Sequence, residues 1–474
     1  MKNMQILRNT KVKIFLTVLL VYLFYIAPGY VTAGTNRYII LTKSIVEDRT
    51  FVIDKYSDHT RDKAFFKGHY YIGAAPGLSL LAAPLYVILK PLLSAIPQAI
   101  YQNFEFSILN LFFAFFLSVL PGAVIAVLLY DLLQKFDMKE KERILTVFIC
   151  AFGTILFYCS TRFLSQTLGA FALFSAFYLL FRSKSTPSGN LSFFLTGICL
   201  GLAVLTDYML AIGSFLIFAY GILSFRKDKI LNYVFLILGA LSIGAIYAYY
   251  HYRCFDNPFA MATTYSAMVG RVPLSFPRPR MIFELTFGTY RGMFMYMPVL
   301  LFSVYGIALF FKKPEKKYMA EILLISAFSL SVFIVIAMFA NWIWPWGGDF
   351  GPRYLLCFVP FLMIPLVFVY RKVKYKIILW VAALSMLINW CGVQYGDADS
   401  SFINIGLFAF KGLNSNLAQW LHNITTHHIR NLNVITHFSP LIPLLILLFP
   451  LYAMWKTEIN GLIQSYLCNE NSIS

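Results

Sequence analysis

Charge is scarce in this chain. Only 13% of the 474 residues are Asp, Glu, Lys or Arg, about half of the roughly 25% usual in a soluble domain, which excludes a water-soluble enzyme built on one packed core. Acidic residues are the scarcer sign, with 21 Asp and Glu against 39 Lys and Arg and a formal net charge of +18. Cysteine is sparse as well. The seven thiols form no CxxC pair and no Cys/His ligand spacing, so neither a disulfide framework nor a structural zinc site is indicated. No phosphate-binding glycine loop with its lysine occurs, and no predicted inner segment is long enough for an ATPase or nucleotide-sugar domain. Any energy the chemistry needs comes from a membrane-delivered substrate or a gradient.

Apolar side chains are what the chain has in excess: 59% are hydrophobic and 18% aromatic, with a mean hydropathy of +0.70. Runs of about 20 apolar residues, the length a bilayer helix needs, recur from end to end. Candidate spans fall near 14–31, 104–130, 144–160, 163–181, 191–206, 208–225, 230–250, 294–311, 319–340, 354–370, 377–395 and 437–455. With so many spans following, the first is read as an uncleaved helix rather than a signal peptide. The fold class predicted is an all-α polytopic membrane protein of twelve spans, a single domain over 1–455 with a short cytoplasmic tail over 456–474.

In a soluble protein a charge of +18 would suggest nucleic acid. Here the basic runs (Arg226, Lys227, Lys229; Lys312, Lys313, Lys316, Lys317; Arg371, Lys372, Lys374, Lys376) sit in short links between spans, where positive loops are retained on the cytoplasmic side. The charge is read as orientation, and no nucleic-acid partner is expected. The segment 72–97 is apolar but broken by Pro76, Gly77, Pro84, Pro91 and Pro97. Leaving it uncrossed puts 22 Lys/Arg and 9 Asp/Glu inside against 17 Lys/Arg and 12 Asp/Glu outside, so 72–97 is expected to lie along or dip into the outer face. Both termini are then cytoplasmic. The outer side holds long segments at 34–103, 251–293 and 396–436 and a shorter one at 341–353. Long loops in a compact protein are usually functional or disordered, and these are rich in Tyr, Phe, Pro and Arg.

Three outer stretches carry candidate chemistry. The first runs from Arg37-Tyr38 through Ile53-Asp54, Thr60-Arg61-Asp62-Lys63 and His69-Tyr70-Tyr71 to Ala75-Pro76-Gly77. Carboxylates interleaved with cations suit a site that deprotonates a hydroxyl while holding a phosphate, although the same pattern serves ordinary surface ion pairs. Asp54 and Asp62 stand out because apolar neighbours in sequence would raise their basicity; Asp62 also has Arg61 and Lys63 to organise. The second stretch is Asn341-Trp342-Ile343-Trp344-Pro345-Trp346-Gly347-Gly348-Asp349-Phe350-Gly351-Pro352-Arg353-Tyr354. Its Arg353, at a span entrance after glycine turns, has the fork that a phosphate accepts. In the third, Arg291 is either a second phosphate contact or a snorkelling residue. Asp207, in a very short outer turn, reads as a helix cap.

The order of these parts resembles the GT-C glycosyltransferases, and most closely the bacterial relatives of protein O-mannosyltransferases and of the aminoarabinose transferase that modifies lipid A. The resemblance implies a plasma-membrane enzyme that moves a sugar, with inversion, from a polyprenyl-phosphate donor to a glycan, lipid or protein acceptor on the extracytoplasmic face. It implies Asp54 or Asp62 as the base, Arg353 with Arg291, Lys63 and Arg37 toward phosphate, and His69, Tyr70 and Asp349 lining the substrate site. Fixed cations neutralise the leaving phosphate, so the reading calls for no metal or cofactor. The chain departs from the family where an Asp commonly precedes the first-loop Arg: it has Gly34-Thr35-Asn36. The base has then moved to a later carboxylate, or the chain is an inactive homologue. The rival class, a transporter or lipid-sugar flippase, usually pairs ionisable groups within its spans, and the predicted spans have almost none.

Overall fold

The computed structural model describes residues 9–185, 189–224, 230–266, 275–343, 350–396, 401–428 and 441–470. Helix α1 (Thr10–Phe24) rises from an Asn9 cap. It is followed by α2 (Ala33–Lys43), a hairpin of β1 (Lys63–Phe66) and β2 (His69–Ile72), and α3 (Gly77–Leu93). Then come α4 (Gln98–Ala114), α5 (Leu120–Gln134), α6 (Glu140–Phe152), α7 (Leu156–Ser160), α8 (Ser165–Ser185), α9 (Asn190–Thr206), α10 (Ala211–Ser224) and α11 (Ile230–Phe255). The remainder is α12 (Pro279–Phe287), α13 (Met293–Tyr296), α14 (Leu300–Lys312), α15 (Met319–Ile343), α16 (Val359–Leu362), α17 (Leu366–Tyr370), α18 (Tyr375–Tyr395), α19 (Ser401–Lys411), α20 (Asn416–His428) and α21 (Leu441–Glu470).

Among the described residues, four continuous helical stretches are long and apolar enough to cross a bilayer: Gln98–Gln134, Ile230–Phe255, Lys316–Met338 and Tyr375–Tyr395. The others are shorter or interrupted. The expected span 354–370 is a 3-10 turn (Arg353–Phe358) followed by α16 and α17, because Pro360 and Pro365 lack the N–H an α-helix requires. The expected span 294–311 breaks at Pro298 between α13 and α14, and 144–160 divides into α6 and α7 around Gly153. Helix α1 stops at Phe24 rather than running to residue 31. Beyond it the chain turns through Pro28-Gly29, where buried Asn110 donates from Nδ2 to the carbonyls of Ala27, Pro28 and Tyr30 at 3.2, 2.9 and 3.1 Å.

Helix association relies on small residues. Gly197 and Gly201 on α9 face Gly239 and Ala240 on α11 so closely that a Cβ on Gly197 or Gly239 would run into the opposing backbone. Small residues four apart permit this approach where lipid removes the hydrophobic drive for association. Basic helix ends are tied by ion pairs. Lys184 donates to the buried Glu321 at 2.6 Å, as does the Tyr220 hydroxyl at 2.6 Å, joining α8, α10 and α15.

The segment expected as the first outer loop is an ordered layer. A capping box between Thr32 and Thr35 starts α2 and places Arg37 in its second turn. The hairpin turns at Lys67 (φ 47) and Gly68 (φ 88), the pair of left-handed residues that a two-residue connection favours. Its register, Ala64 opposite Tyr71 and Phe65 opposite Tyr70, buries Ala64 and Tyr71 and leaves Phe65 exposed, with Tyr71 against Phe255. Helix α3, spanning most of 72–97, is anchored to α2: Ser79 Oγ donates to the Tyr38 carbonyl at 3.0 Å and Thr42 Oγ1 to the Ser79 carbonyl at 3.3 Å.

Candidate functional site

Arg37 is the centre of the arrangement. Its guanidinium pairs with Asp62 through Nη1 and donates to the Tyr38 hydroxyl through Nη2 at 2.9 Å. Tyr38 in turn donates to Ser165 Oγ, at the start of α8, at 3.3 Å. Burial opposes the Arg37 charge, but Asp62, Tyr38 and Tyr354 outweigh it and hold the guanidinium protonated beyond its ordinary range, with Arg353 acting the other way. Asp62 is set by its own loop: its backbone N–H donates to Thr60 Oγ1 at 3.1 Å, Thr60 Oγ1 donates to the Ala33 carbonyl at 2.8 Å, and Gly73 N–H donates to the Asp62 carbonyl at 3.2 Å. A Cβ at Gly73 would collide with Asp62 Oδ1. That oxygen is buried and has no hydrogen-bond partner among the described residues.

Arg353 opens a 3-10 turn after Gly351, whose φ of +66 turns the chain. Phe350, fully buried, anchors this segment between Tyr158 and Tyr296, with ring centroids at 5.3 and 4.7 Å. Asp207 stands between α9 and α10, where its Oδ1 accepts from the Met209 N–H at 3.0 Å, as a cap. Burial pushes the Asp207 carboxyl up, while the Met209 N–H, Arg37 and Arg353 pull it down without cancelling the rise. Gly77, at the start of α3, presses against the backbone of Leu205 and Thr206 so tightly that a Cβ would overlap it, and this fixes the Asp207 turn against α3.

Sequence reading passes over Arg162, although an arginine between two apolar runs is itself a signal. It is almost wholly buried, stacks 3.7 Å from the Tyr158 ring centroid, and donates to Thr161 Oγ1 at 3.0 Å and to the Val393 carbonyl at 3.2 Å. Arg162 and Arg353 both act on the Cys159 thiol through their charges. Arg37, Arg162 and Arg353 thus share one region with Asp62 and Asp207. Beside it, an apolar cavity of about 390 Å³ opens between α1, α6, α18 and α21, lined by Tyr25, Phe157, Trp390 and Leu448 among others. Phe157 of its wall adjoins Tyr158, on which Arg162 stacks.

Of the other expected site residues, Asp54, Lys63, His69 and Tyr70 make their contacts within the hairpin and the 3-10 turn before it. Asp54 is not sheltered by its apolar sequence neighbours: its side chain is 42% exposed, and it accepts from the Tyr70 N–H at 2.6 Å and lies 2.7 Å from His69 Nδ1. It fastens a 3-10 turn to the hairpin. Lys63 donates to the Ser57 carbonyl at 3.0 Å and lies 4.4 Å from the Tyr70 ring centroid. Asp62 therefore does not organise Arg61 and Lys63; it pairs with Arg37, and Arg61 is exposed. Arg291 is buried, 5.0 Å from the Tyr290 ring centroid, so it does not snorkel. Asp349, with residues 344–348, lies outside the described residues.

Apolar helices packed against the ordered layer of residues 32–93, with arginines and carboxylates gathered between them, define a polytopic helical membrane protein with a polar site at one end. Residues 50–255 match the family model described as dolichyl-phosphate-mannose-protein mannosyltransferase. Apo ArnT from Cupriavidus metallidurans superposes with a TM-score of 0.50 at 11% identity, over 93% of this chain and 74% of that one. ArnT bound to undecaprenyl phosphate gives 0.49 at 12% identity over 94% and 75%. The Archaeoglobus fulgidus oligosaccharyltransferase gives 0.49 at 14% identity over 90% of this chain and 57% of that one. No curated protein matches by sequence. The chain resembles the protein O-mannosyltransferases and ArnT and carries their GT-C fold.

Proposed function

We propose that this protein is an inverting glycosyltransferase of the plasma membrane, with both termini cytoplasmic, 1–455 acting as one domain, and its working face outside. A polyprenyl-phosphate sugar enters laterally from the outer leaflet, its prenyl chain along the apolar cavity beside Phe157 and Trp390 and its phosphate toward Arg353, Arg37 and Arg162. A carboxylate of the cluster takes the acceptor hydroxyl proton as the oxygen attacks the anomeric carbon. The bond from that carbon to the phosphate oxygen breaks, and the polyprenyl phosphate leaves with the electron pair. Cations held in place before the reaction need no reorganisation as the phosphate charge develops.

The observation that carries this reading is the convergence of Arg37 and Arg353 on Asp62 and Asp207. An alternating-access transporter is disfavoured, because among the described residues the ion pairs sit in outer or inner end regions rather than near the middle of the spans. Mass-spectrometric comparison of surface glycans, glycolipids and glycoproteins in cells with and without the protein tests the reading. A product absent without the protein and restored by it is expected; unchanged profiles in all three classes would reject it.

A further inference from the structure

The glycosyl-transfer reading leaves open which carboxylate accepts the proton, and two stand in the cluster. Asp62 is committed to Arg37 through one oxygen, which suits it to hold the guanidinium in place. Asp207 is placed differently. Its cap to the Met209 N–H occupies only Oδ1, and the close approach of Gly77 to the Leu205-Thr206 backbone keeps its turn rigid.

The turn is braced from a second side. Tyr208 lies 2.8 Å through its hydroxyl from His251 Nε2, while His251 Nδ1 lies 2.8 Å from the Tyr247 carbonyl. A carbonyl only accepts, so Nδ1 carries the proton and Nε2 accepts from the Tyr208 hydroxyl. His251 is fully buried and its ring lies 4.0 Å from that of Tyr247. The residue beside Asp207 is thereby locked, although nothing in the capping role alone calls for such bracing. The charged and titratable groups acting with Asp207 are Arg37 from α2 and Arg353 and Cys357 from the 3-10 turn.

We infer that Asp207 is the general base, its second carboxylate oxygen accepting the acceptor hydroxyl proton beside the arginine-held phosphate, while Asp62 is a positioning residue for Arg37. The balance is simple: the acceptor O–H bond breaks, its proton goes to Asp207, the new C–O bond forms, and the polyprenyl phosphate departs. The upward displacement of the Asp207 carboxyl by burial brings a carboxylate toward the pH at which a base works best.

The inference rests on the glycosyl-transfer reading, and one experiment separates the two. Wild type, Asp207→Asn, Asp207→Glu and Asp62→Asn are purified for binding of undecaprenyl phosphate and for thermal stability, and expressed in cells lacking the protein for restoration of the glycan product across outer pH. Asn caps as well as Asp, so Asp207→Asn should bind the lipid and keep or gain stability at neutral pH. The sign follows from burial: the folded state holds the Asp207 proton more tightly, so ionisation at rising pH costs stability, and Asn avoids that cost. Its product formation should fall by roughly 100-fold or more. Asp207→Glu should recover part of the activity with the acid limb of the pH profile moved. Asp62→Asn should weaken lipid binding instead. Asp207→Asn with wild-type activity and an unmoved acid limb, or with lost lipid binding and lost stability, overturns the assignment. Failure of wild type itself to bind undecaprenyl phosphate and to restore any product overturns the parent reading, and the assignment with it.

Discussion

The Arg37–Asp62 pair offers the most direct physical test of the site. Both side chains are mostly shielded, at 18% and 16% exposure, and removal of one partner from a buried pair costs roughly 3–5 kcal/mol because the other charge is left uncompensated. Their residual exposure puts each single change, Arg37→Ala or Asp62→Ala, near the lower end, about 3 kcal/mol. The double variant leaves no orphaned charge and should cost about as much as either single change, giving a coupling of roughly 2–3 kcal/mol. For a chain of this size each kcal/mol corresponds to about 2 °C or less in Tm, so the singles should fall by several degrees. Thermal unfolding of the four proteins in detergent, followed by near-UV circular dichroism, measures the cycle. Additivity of the singles to within about 0.5 kcal/mol would show that the two groups do not depend on one another and would remove the basis for treating them as one unit.

Arg353→Lys keeps a charge but loses the planar fork, so undecaprenyl phosphate affinity should fall about tenfold, and further in Arg353→Ala; unchanged affinity in both, by titration of the purified protein, would make Arg353 structural. Asp54→Ala should cost about 1 kcal/mol through the lost Tyr70 acceptor yet leave product formation within a few-fold, and a 100-fold loss in the cell assay would return Asp54 to the chemistry. The orientation is checked with single cysteines at Asp58, which is exposed, and Glu315, whose side chain is 41% exposed, in a background lacking the native thiols: an impermeant reagent should label position 58 from outside and position 315 only from the cytoplasmic side; labelling of both from one side would overturn the arrangement, and the reverse pattern would invert the working face.

The membrane architecture is legible in the sequence because lipid imposes a length and a composition that apolar runs display directly. The interruptions within spans are less so. Pro298, Pro360 and Pro365 are visible in the sequence, but whether a proline kinks a helix or divides it depends on the neighbours that satisfy the freed carbonyls. Arg37 and Arg353 stand out for the same reason in both cases: a cation at the edge of an apolar run is expensive without a purpose. Arg162 meets that criterion equally, and is hidden only because the turn containing it is so short.

Carboxylates are harder to rank, since sequence neighbours are a poor guide to the surroundings of a side chain. Phe51, Val52 and Ile53 precede Asp54, yet Ile53 turns into the core while Asp54 faces outward to seize the hairpin. Asp62 lies between Arg61 and Lys63, but its partner comes from 25 residues upstream because the Thr60 anchor and the Gly73 approach aim the side chain toward α2. Asp207 reads as a cap in the sequence, and it is one. A cap consumes one acceptor, whereas a carboxylate has two oxygens and a charge, so accounting for the hydrogen bond at Oδ1 does not account for why a charged residue rather than Ser or Asn stands in a partly buried turn within the influence of Arg37 and Arg353. That surplus, more than any neighbour in sequence, is what marks Asp207 for chemistry: Asn would satisfy the fold at lower electrostatic cost, and only a group that exchanges a proton has use for the difference.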